Sequence, residues 1–359
     1  MDQRIAVGVL GATGSVGQRF VSLLDEHPWF RVTEVAASKR SAGKPYSEAA
    51  QWLQSSPLPE AVADLTVREV GASMDTPIVF SALSASVAGE VEEEMAGQGH
   101  LVISNARSHR MDPDVPLLIP EVNPDHLALV DRQRWNGGGI ITNPNCSTIG
   151  IALALKPLHD AFGVRALHAV TLQAVSGAGL PGVPSVEMLD NAIPYIPGEE
   201  DKIERETGKI LGDLTSAGVE AAAIEVSAQC NRVPVVDGHL AAVSVGLKGG
   251  SELDAAELGR ILAEFSGEPQ DLGLPTAPAR PIHVLSGEAD PQPRRHRDLE
   301  GGMAVSVGRL RPCPILGWRF VVLSHNTIRG AAGGAILCGE LALARGLVPG
   351  VSGTWPSAS

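Results

Sequence analysis

A chain of 359 residues, 44% of them hydrophobic, can build more than one core; its 40 glycines and 26 prolines are spread along it, so it reads as a folded, turn-rich protein of about two domains. A formal net charge of -13 with no run of Lys or Arg lacks the basic face that a phosphate backbone requires, so nucleic acid is not an expected partner. No apolar stretch approaches the ~18 residues needed to span a bilayer, no leader segment opens the chain, and Cys146, Cys230, Cys313 and Cys338 stand far apart without a CxxC pair; no membrane partner, disulfide framework or metal cluster is expected, and the expected setting is the reducing cytoplasm.

Residues 4–10 are strand-like and run into Gly8-Val9-Leu10-Gly11-Ala12-Thr13-Gly14-Ser15-Val16-Gly17, after which a helix pattern extends to about residue 24. Glycine lets a phosphate approach the backbone, and a helix N-terminus supplies free N–H donors and positive potential. The spacing is GxxGxxG rather than strict GxGxxG, so its context carries the reading: a strand, a turn and a helix at the start of the chain. That context predicts a dinucleotide site using Gly11, Thr13, Gly14, Ser15 and Val16, with a ligand-free βα turn as the alternative. A second strand at residues 32–36 ends in Ser38-Lys39-Arg40-Ser41. An NAD site usually has an acid here for the ribose 2′-OH. This tip has none, and Arg40 can fork onto a 2′-phosphate while Ser38 and Ser41 donate to it, so NADP is the expected cofactor. Lys39 and Lys44 read better as solvated bases.

Apolar runs at residues 78–80, 101–103 and 140–142, with a polar helix at 87–98 between the first two, repeat the βαβ rhythm of a parallel sheet covered on both faces. Next comes Asn143-Pro144-Asn145-Cys146-Ser147-Thr148, before a helix at about residues 149–162. A cysteine at such a strand-to-helix corner gains thiolate character, and N–H groups near residues 145–147 are placed to hold an oxyanion. Cys230, Cys313 and Cys338 read as buried structural cysteines.

Beyond residue 163 the strands lengthen and alternate, as at 239–247 and 304–310, around a helix pattern at 252–265. This predicts an α+β domain on a mostly antiparallel sheet. A small-residue helix at about 326–347 is expected to return and pack on the first domain. A nucleophilic cysteine needs a proton acceptor. Among ten histidines His239 is favoured, because it starts an alternating strand after a glycine and lies seven residues beyond Arg232, an anion-clamp candidate that otherwise reads as a surface arginine.

Taken in order, residues 8–17, 37–46, 115–124, 143–148, 173–179, 193–203, 230–239, 291–294 and 324–331 identify the chain as resembling archaeal/fungal-type aspartate-semialdehyde dehydrogenases over nearly its whole length. The resemblance implies an α/β fold: a Rossmann-type parallel-sheet domain (residues 1–148 and 327–359) plus an α+β catalytic and dimerisation domain (residues 149–326). It implies Cys146 as nucleophile, His239 as acid–base and Gln173 as the group orienting the acyl intermediate. Arg232 would bind the substrate carboxylate, Glu199 its ammonium, and Arg110, Asn145 and Lys202 its phosphate. Ser81, Ala82, Ser176, Gly177 and Asn326 would join the NADP contacts. The implied activity is NADP-dependent reduction of aspartyl phosphate, in the synthesis of lysine, threonine and methionine, by a homodimer or homotetramer. Malonyl-CoA reductase, or another acyl-phosphate or acyl-CoA reductase on the same scaffold, is the near alternative; a non-catalytic NADP-binding regulator is the distant one. Arg295-His296 departs from the family's expected apolar–acidic pair.

Overall fold

The computed structural model describes residues 3–135, 137–249 and 252–352. Six strands form the first sheet: β1 (Ile5–Leu10), β2 (Phe30–Ala37), β3 (Arg68–Glu69), β4 (Ile78–Ser81), β5 (Leu101–Ser104) and β6 (Gly139–Thr142), all paired in parallel in the order β3-β2-β1-β4-β5-β6. Helices cover both faces, which is why β4, β5 and β6 are buried at every position instead of alternating. The covering helices include α1 (Ser15–Leu24) and α2 (Ala85–Gly97). Strand order reverses between β1 and β4, and a crevice opens beyond the carboxyl ends of these two strands.

Helix α3 (Cys146–Phe162) leaves the end of β6 and passes onto the second sheet. That sheet contains β7 (Val164–Gln173), then, after a small hairpin of β8 (Asp213–Thr215) and β9 (Gly218–Glu220), the strands β10 (Glu225–Arg232), β11 (His239–Leu247), β12 (Ile282–Leu285), β13 (Val305–Cys313) and β14 (Gly317–Ser324). Its order is β10-β7-β11-β14-β13-β12. The inner pairings are antiparallel, as expected, and the two outer ones are parallel, so the sheet is mixed. Ala241, Val243 and Val245 face the core shared with α3, α4 (Glu199–Ile210) and α5 (Ala255–Ala263). The opposite face leaves His168, Leu172, Ala242 and Arg319 exposed.

Register decides where the polar ends of these strands fall. Gln173 pairs with Arg232, Leu172 with Leu240, and His239 with Ser324. The ends of β7, β10 and β14 and the start of β11 thus meet at one margin of the sheet. The chain then crosses back through a π-helical turn (Ile328–Ala332) into α6 (Gly333–Ala344), whose residues up to Leu343 are all buried and which belongs to the core of the first sheet. The single small-residue helix expected at 326–347 is therefore broken in two. Gly339 permits the close approach of α6, since a Cβ there would stand 3.0 Å from Ile103 Cδ1.

Candidate active site

The turn from β6 into α3 is built by Asn145. Its Oδ1 accepts the N–H of Ser147 at 2.9 Å and of Thr148 at 3.2 Å, so it is the N-cap of the helix. Its Nδ2 donates to Glu199 Oε2 at 2.9 Å, and its own backbone N–H donates to Glu206 Oε2 at 2.7 Å. Cys146 is therefore the first helical residue, earlier than the helix start expected at residue 149. Gly330 packs behind it; a Cβ there would lie 2.8 Å from the cysteine Cβ. The cap corrects the expected oxyanion site. The N–H groups of Asn145 and Ser147 are already spent, leaving that of Cys146 as the one of the three not so engaged among the described residues.

The expected thiolate is also corrected. Cys146 is half-buried in the wall of the cleft. Burial, then Glu199, push the thiol up to about 12, against the pull of Lys202, Arg110 and Arg232.

His239 opens β11, and its ring is held at both nitrogens. Nε2 lies 3.3 Å from Cys146 Sγ, and Nδ1 accepts the backbone N–H of Ala174 at 3.0 Å. A backbone N–H can only donate, so the neutral ring carries its proton on Nε2, facing the sulfur. Burial, then the Arg232 guanidinium, push His239 down to about 3. The ring is thus set to donate to an anion; taking the thiol proton would first require release of the Ala174 N–H. Gly177 lies over this pair, because a Cβ on it would stand 3.1 Å from both His239 Nε2 and Arg232 Nη1. Arg232 is buried, with Nη1 donating to the Ala174 carbonyl at 2.7 Å.

Helix α4 supplies the opposite wall. Lys202 Nζ pairs with Glu199 Oε1, while Glu199 Oε2 also accepts Gln173 Nε2 at 3.2 Å. Burial alone would raise the Glu199 carboxyl, but Lys202, Asn145 and Gln173 hold it below the usual carboxylate range. Arg110 donates through Nη1 to Glu206 Oε1 at 2.8 Å. Cys146, Arg110, Asn145, Glu199 and Lys202 share the walls of one cleft of about 430 Å³. His239, Gln173 and Arg232 form the layer behind it.

The same cleft is lined by Val16, Ser176, Gly177 and Asn326. Asn326 ties together the loops that follow β7 and precede β11, donating to Ser176 Oγ at 2.7 Å and accepting the Gly238 N–H at 2.8 Å. Gly11, at φ +71, would drive a Cβ to 2.7 Å from the Ala82 carbonyl oxygen, and a Cβ on Gly17 would fall 2.2 Å from the Gly11 oxygen. The turn through Thr13 therefore needs glycine for its own packing as well as for a phosphate. Gly14 caps α1 without a side-chain bond, so the first-turn N–H groups at Ser15 and Val16 face the crevice unclaimed by a cap. Ser38 and Arg40 are exposed just past β2, and Ser41 is buried. These residues fit a 2′-phosphorylated dinucleotide. Ser81 fits only through its backbone: its Oγ donates to Glu92 Oε1 at 2.6 Å, away from the crevice.

Glu206, Ala174 and Gly330 escaped the sequence reading. Glu206 had a signal, since it follows Glu199 and Lys202 on the same helical face; the Ala174 N–H had none. Arg295 and His296 lie 3.9 Å from Asp290 Oδ1 and do not line the cleft, so the departure there leaves the site untouched.

Residues 6–130 match the family described as semialdehyde dehydrogenase, NAD binding domain, and residues 155–329 match semialdehyde dehydrogenase, dimerisation domain. The chain is 52% identical to the aspartate-semialdehyde dehydrogenase of Methanothermobacter thermautotrophicus, across 94% of this chain and 98% of that one. Among solved structures, aspartate-semialdehyde dehydrogenase with NADP from Candida albicans superposes with a TM-score of 0.88 at 43% identity, covering 96% of this chain and 100% of that one. Aspartate semialdehyde dehydrogenase II complexed with ASA from Vibrio cholerae gives a TM-score of 0.75 at 28% identity, covering 95% and 98%.

Proposed function

The chain belongs to the aspartate-semialdehyde dehydrogenase family, and from that premise we propose that it reduces L-4-aspartyl phosphate to L-aspartate 4-semialdehyde with NADPH through a thioester on Cys146, a step of amino-acid biosynthesis. The observation that carries this reading is the 3.3 Å approach of Cys146 Sγ to His239 Nε2 beside a cleft that also presents Arg110 and Lys202. A substrate bearing an acyl phosphate, an ammonium and a carboxylate needs cations at both ends and an acid between them. Arg110, Lys202 and Asn145 take the phosphate, Glu199 the ammonium and Arg232 the carboxylate.

In the first step the Cys146 thiol gives its proton to His239 Nε2, once that ring has released the Ala174 N–H and moved its own proton to Nδ1, and the resulting thiolate attacks the acyl carbon. A C–S bond forms, the C–O bond to phosphate breaks, and the leaving phosphate keeps the electron pair against Arg110 and Lys202. The carbonyl oxygen is met by the Cys146 N–H and by Nε2–H of His239, while Gln173 orients the acyl group. NADPH, held by Gly11, Thr13, Gly14, Ser15, Val16, Ser38, Arg40, Ser41, the backbone at Ser81 and Ala82, and Ser176, Gly177 and Asn326, supplies the reducing electrons when bound. The reduced adduct then collapses: its C=O re-forms, the C–S bond breaks, and the departing sulfur takes back the proton held on His239 Nε2, which restores the thiol.

A division into residues 1–148 with 327–359, and 149–326, follows from this reading; residues 1–2, 136, 250–251 and 353–359 lie outside the described ones. The open face of the second sheet, with Leu172 exposed, is where a second copy docks to form a homodimer, or a tetramer built from two dimers. Four free cysteines suit a cytoplasmic setting. Among the described residues no helix is long and apolar enough to cross a membrane.

Aspartate semialdehyde and NADP should yield NADPH only when phosphate is present. Reduction that depends instead on CoA would shift the reading to an acyl-CoA reductase such as malonyl-CoA reductase. No turnover with any small semialdehyde would leave a non-catalytic NADP-binding regulator.

A further inference from the structure

Glu206 has no part in the roles assigned above, yet it is 2% exposed and joined to two groups that do. It lies two helical turns along α4 from Glu199. One carboxylate oxygen accepts Nη1 of Arg110 at 2.8 Å, and the other accepts the backbone N–H of Asn145 at 2.7 Å. Arg110 is gripped a second time, through Nη2, by the Asn105 carbonyl at 2.8 Å. Its buried Nε has no hydrogen-bond partner among the described residues. Asn145 is likewise held twice, its main chain by Glu206 and its side chain by Glu199.

This arrangement has a physical consequence. A free arginine loses rotamer freedom when it captures an anion, and that loss weakens binding. Here the guanidinium is oriented before substrate arrives, by an acid whose other oxygen holds the backbone N–H of Asn145, the residue just before the nucleophile. We propose that Glu206 is a positioning residue that sets the distance between the phosphate-binding guanidinium of Arg110 and the turn presenting Cys146. The first step breaks the bond between the carbon that the sulfur attacks and the phosphate that the arginine receives. A carboxylate tying those two protein groups together favours an acyl phosphate over a thioester, whose leaving sulfur brings no anion to Arg110. The inference rests on Cys146 as nucleophile and Arg110 as phosphate clamp.

The test is steady-state kinetics with aspartate semialdehyde, phosphate and NADP, together with iodoacetamide alkylation of Cys146. A wild-type chain without phosphate-dependent turnover would sink the functional reading; the positioning role is judged on an active wild type. Glu206→Gln keeps one neutral acceptor oxygen and sets an NH2 against one of the two donors, so one arm breaks and the other loses its charged acceptor, which weakens both. The KM for phosphate should rise about tenfold or more, with that for NADP within about twofold. In the double variant with Arg110→Lys, phosphate KM should rise little beyond Arg110→Lys alone, because both changes act through one contact. Alkylation should shift in Glu206→Gln and stay at the wild-type rate in Arg110→Lys, where the Asn145 arm survives. An unchanged or lowered phosphate KM, equal rises for phosphate and NADP, full multiplication in the double variant, or matching alkylation shifts in both single variants would each overturn the proposal. If Glu206→Gln does not fold, Glu206→Asp, which reaches only one donor at a time, is judged by the same criteria.

Discussion

A cysteine at a helix N-terminus ordinarily draws thiolate character from unpaired N–H groups. Cys146 departs from this because Asn145 already caps its helix and because its sulfur sits in a crowded pocket beside Glu199. Burial first, and then the Glu199 carboxylate, push the thiol up, to about 12. Replacing Glu199 with Gln removes the nearest negative charge and lowers that value, so alkylation of Cys146 by iodoacetamide at neutral pH should become faster than in wild type. A slower or unchanged rate would contradict the electrostatic assignment. Cys146→Ala should retain fold and NADP binding, read by thermal melting and cofactor titration, while losing nearly all turnover. The loss should exceed the ~10²–10³-fold typical of one oxyanion donor, and an active variant would end the thioester mechanism.

At the scale of elements, α3 and α4 do most of the positioning. Asn145 joins them: its Oδ1 accepts N–H groups of α3, and its own backbone and side-chain N–H groups donate to carboxylates of α4. Asn145→Ala should lower stability by about 0.5–2 kcal/mol through loss of the cap, visible as a lower melting temperature; an unchanged melting temperature would mean the cap is redundant. The parallel sheet was legible because both-face burial leaves continuous apolar runs, and the glycine turn because its packing needs are local. The helix expected at 326–347 was misread where it matters. A helix pattern carries no mark of Gly330 packing against Cys146, and the chain departs there into a π turn, a distortion common at functional sites. The parallel outer strands of the second sheet were likewise illegible, since strand direction is set by crossover connections and not by alternation.

For the whole molecule, buried polar groups link distant parts of the chain and make the fold sensitive to acid. Arg329 and Glu121, 208 residues apart and both inaccessible to solvent, form two bonds of 2.6 Å that pin the returning C-terminal segment to the first domain. Burial first of all holds His239 at about 3 and His325 at about 4, against about 6.5 for an unfolded histidine. Between about pH 6.5 and 4 the unfolded chain binds protons that the fold refuses, so stability falls as pH falls, by up to about 1.4 kcal/mol per pH unit for each site. His126 and His159, also lowered by burial, act in the same direction. His109, which burial lowers but Asp112 and the Gly89 carbonyl hold above its usual value, acts in the other. The denaturant midpoint should therefore drop from about pH 7 to about pH 5, and drop less in His325→Gln; a flat profile would show that these rings protonate within the fold.

The sequence by itself determined the dinucleotide turn, the absence of an acid after the second strand and the cysteine at a strand-to-helix corner, because each depends on residues a few positions apart. Only the tertiary structure decided that Cys146 and His239 stand 3.3 Å apart, that the Ala174 N–H sets the proton of that ring, and that Glu206 joins Arg110 to Asn145. Those contacts span dozens of residues and arise from sheet register and helix packing, which local pattern does not encode.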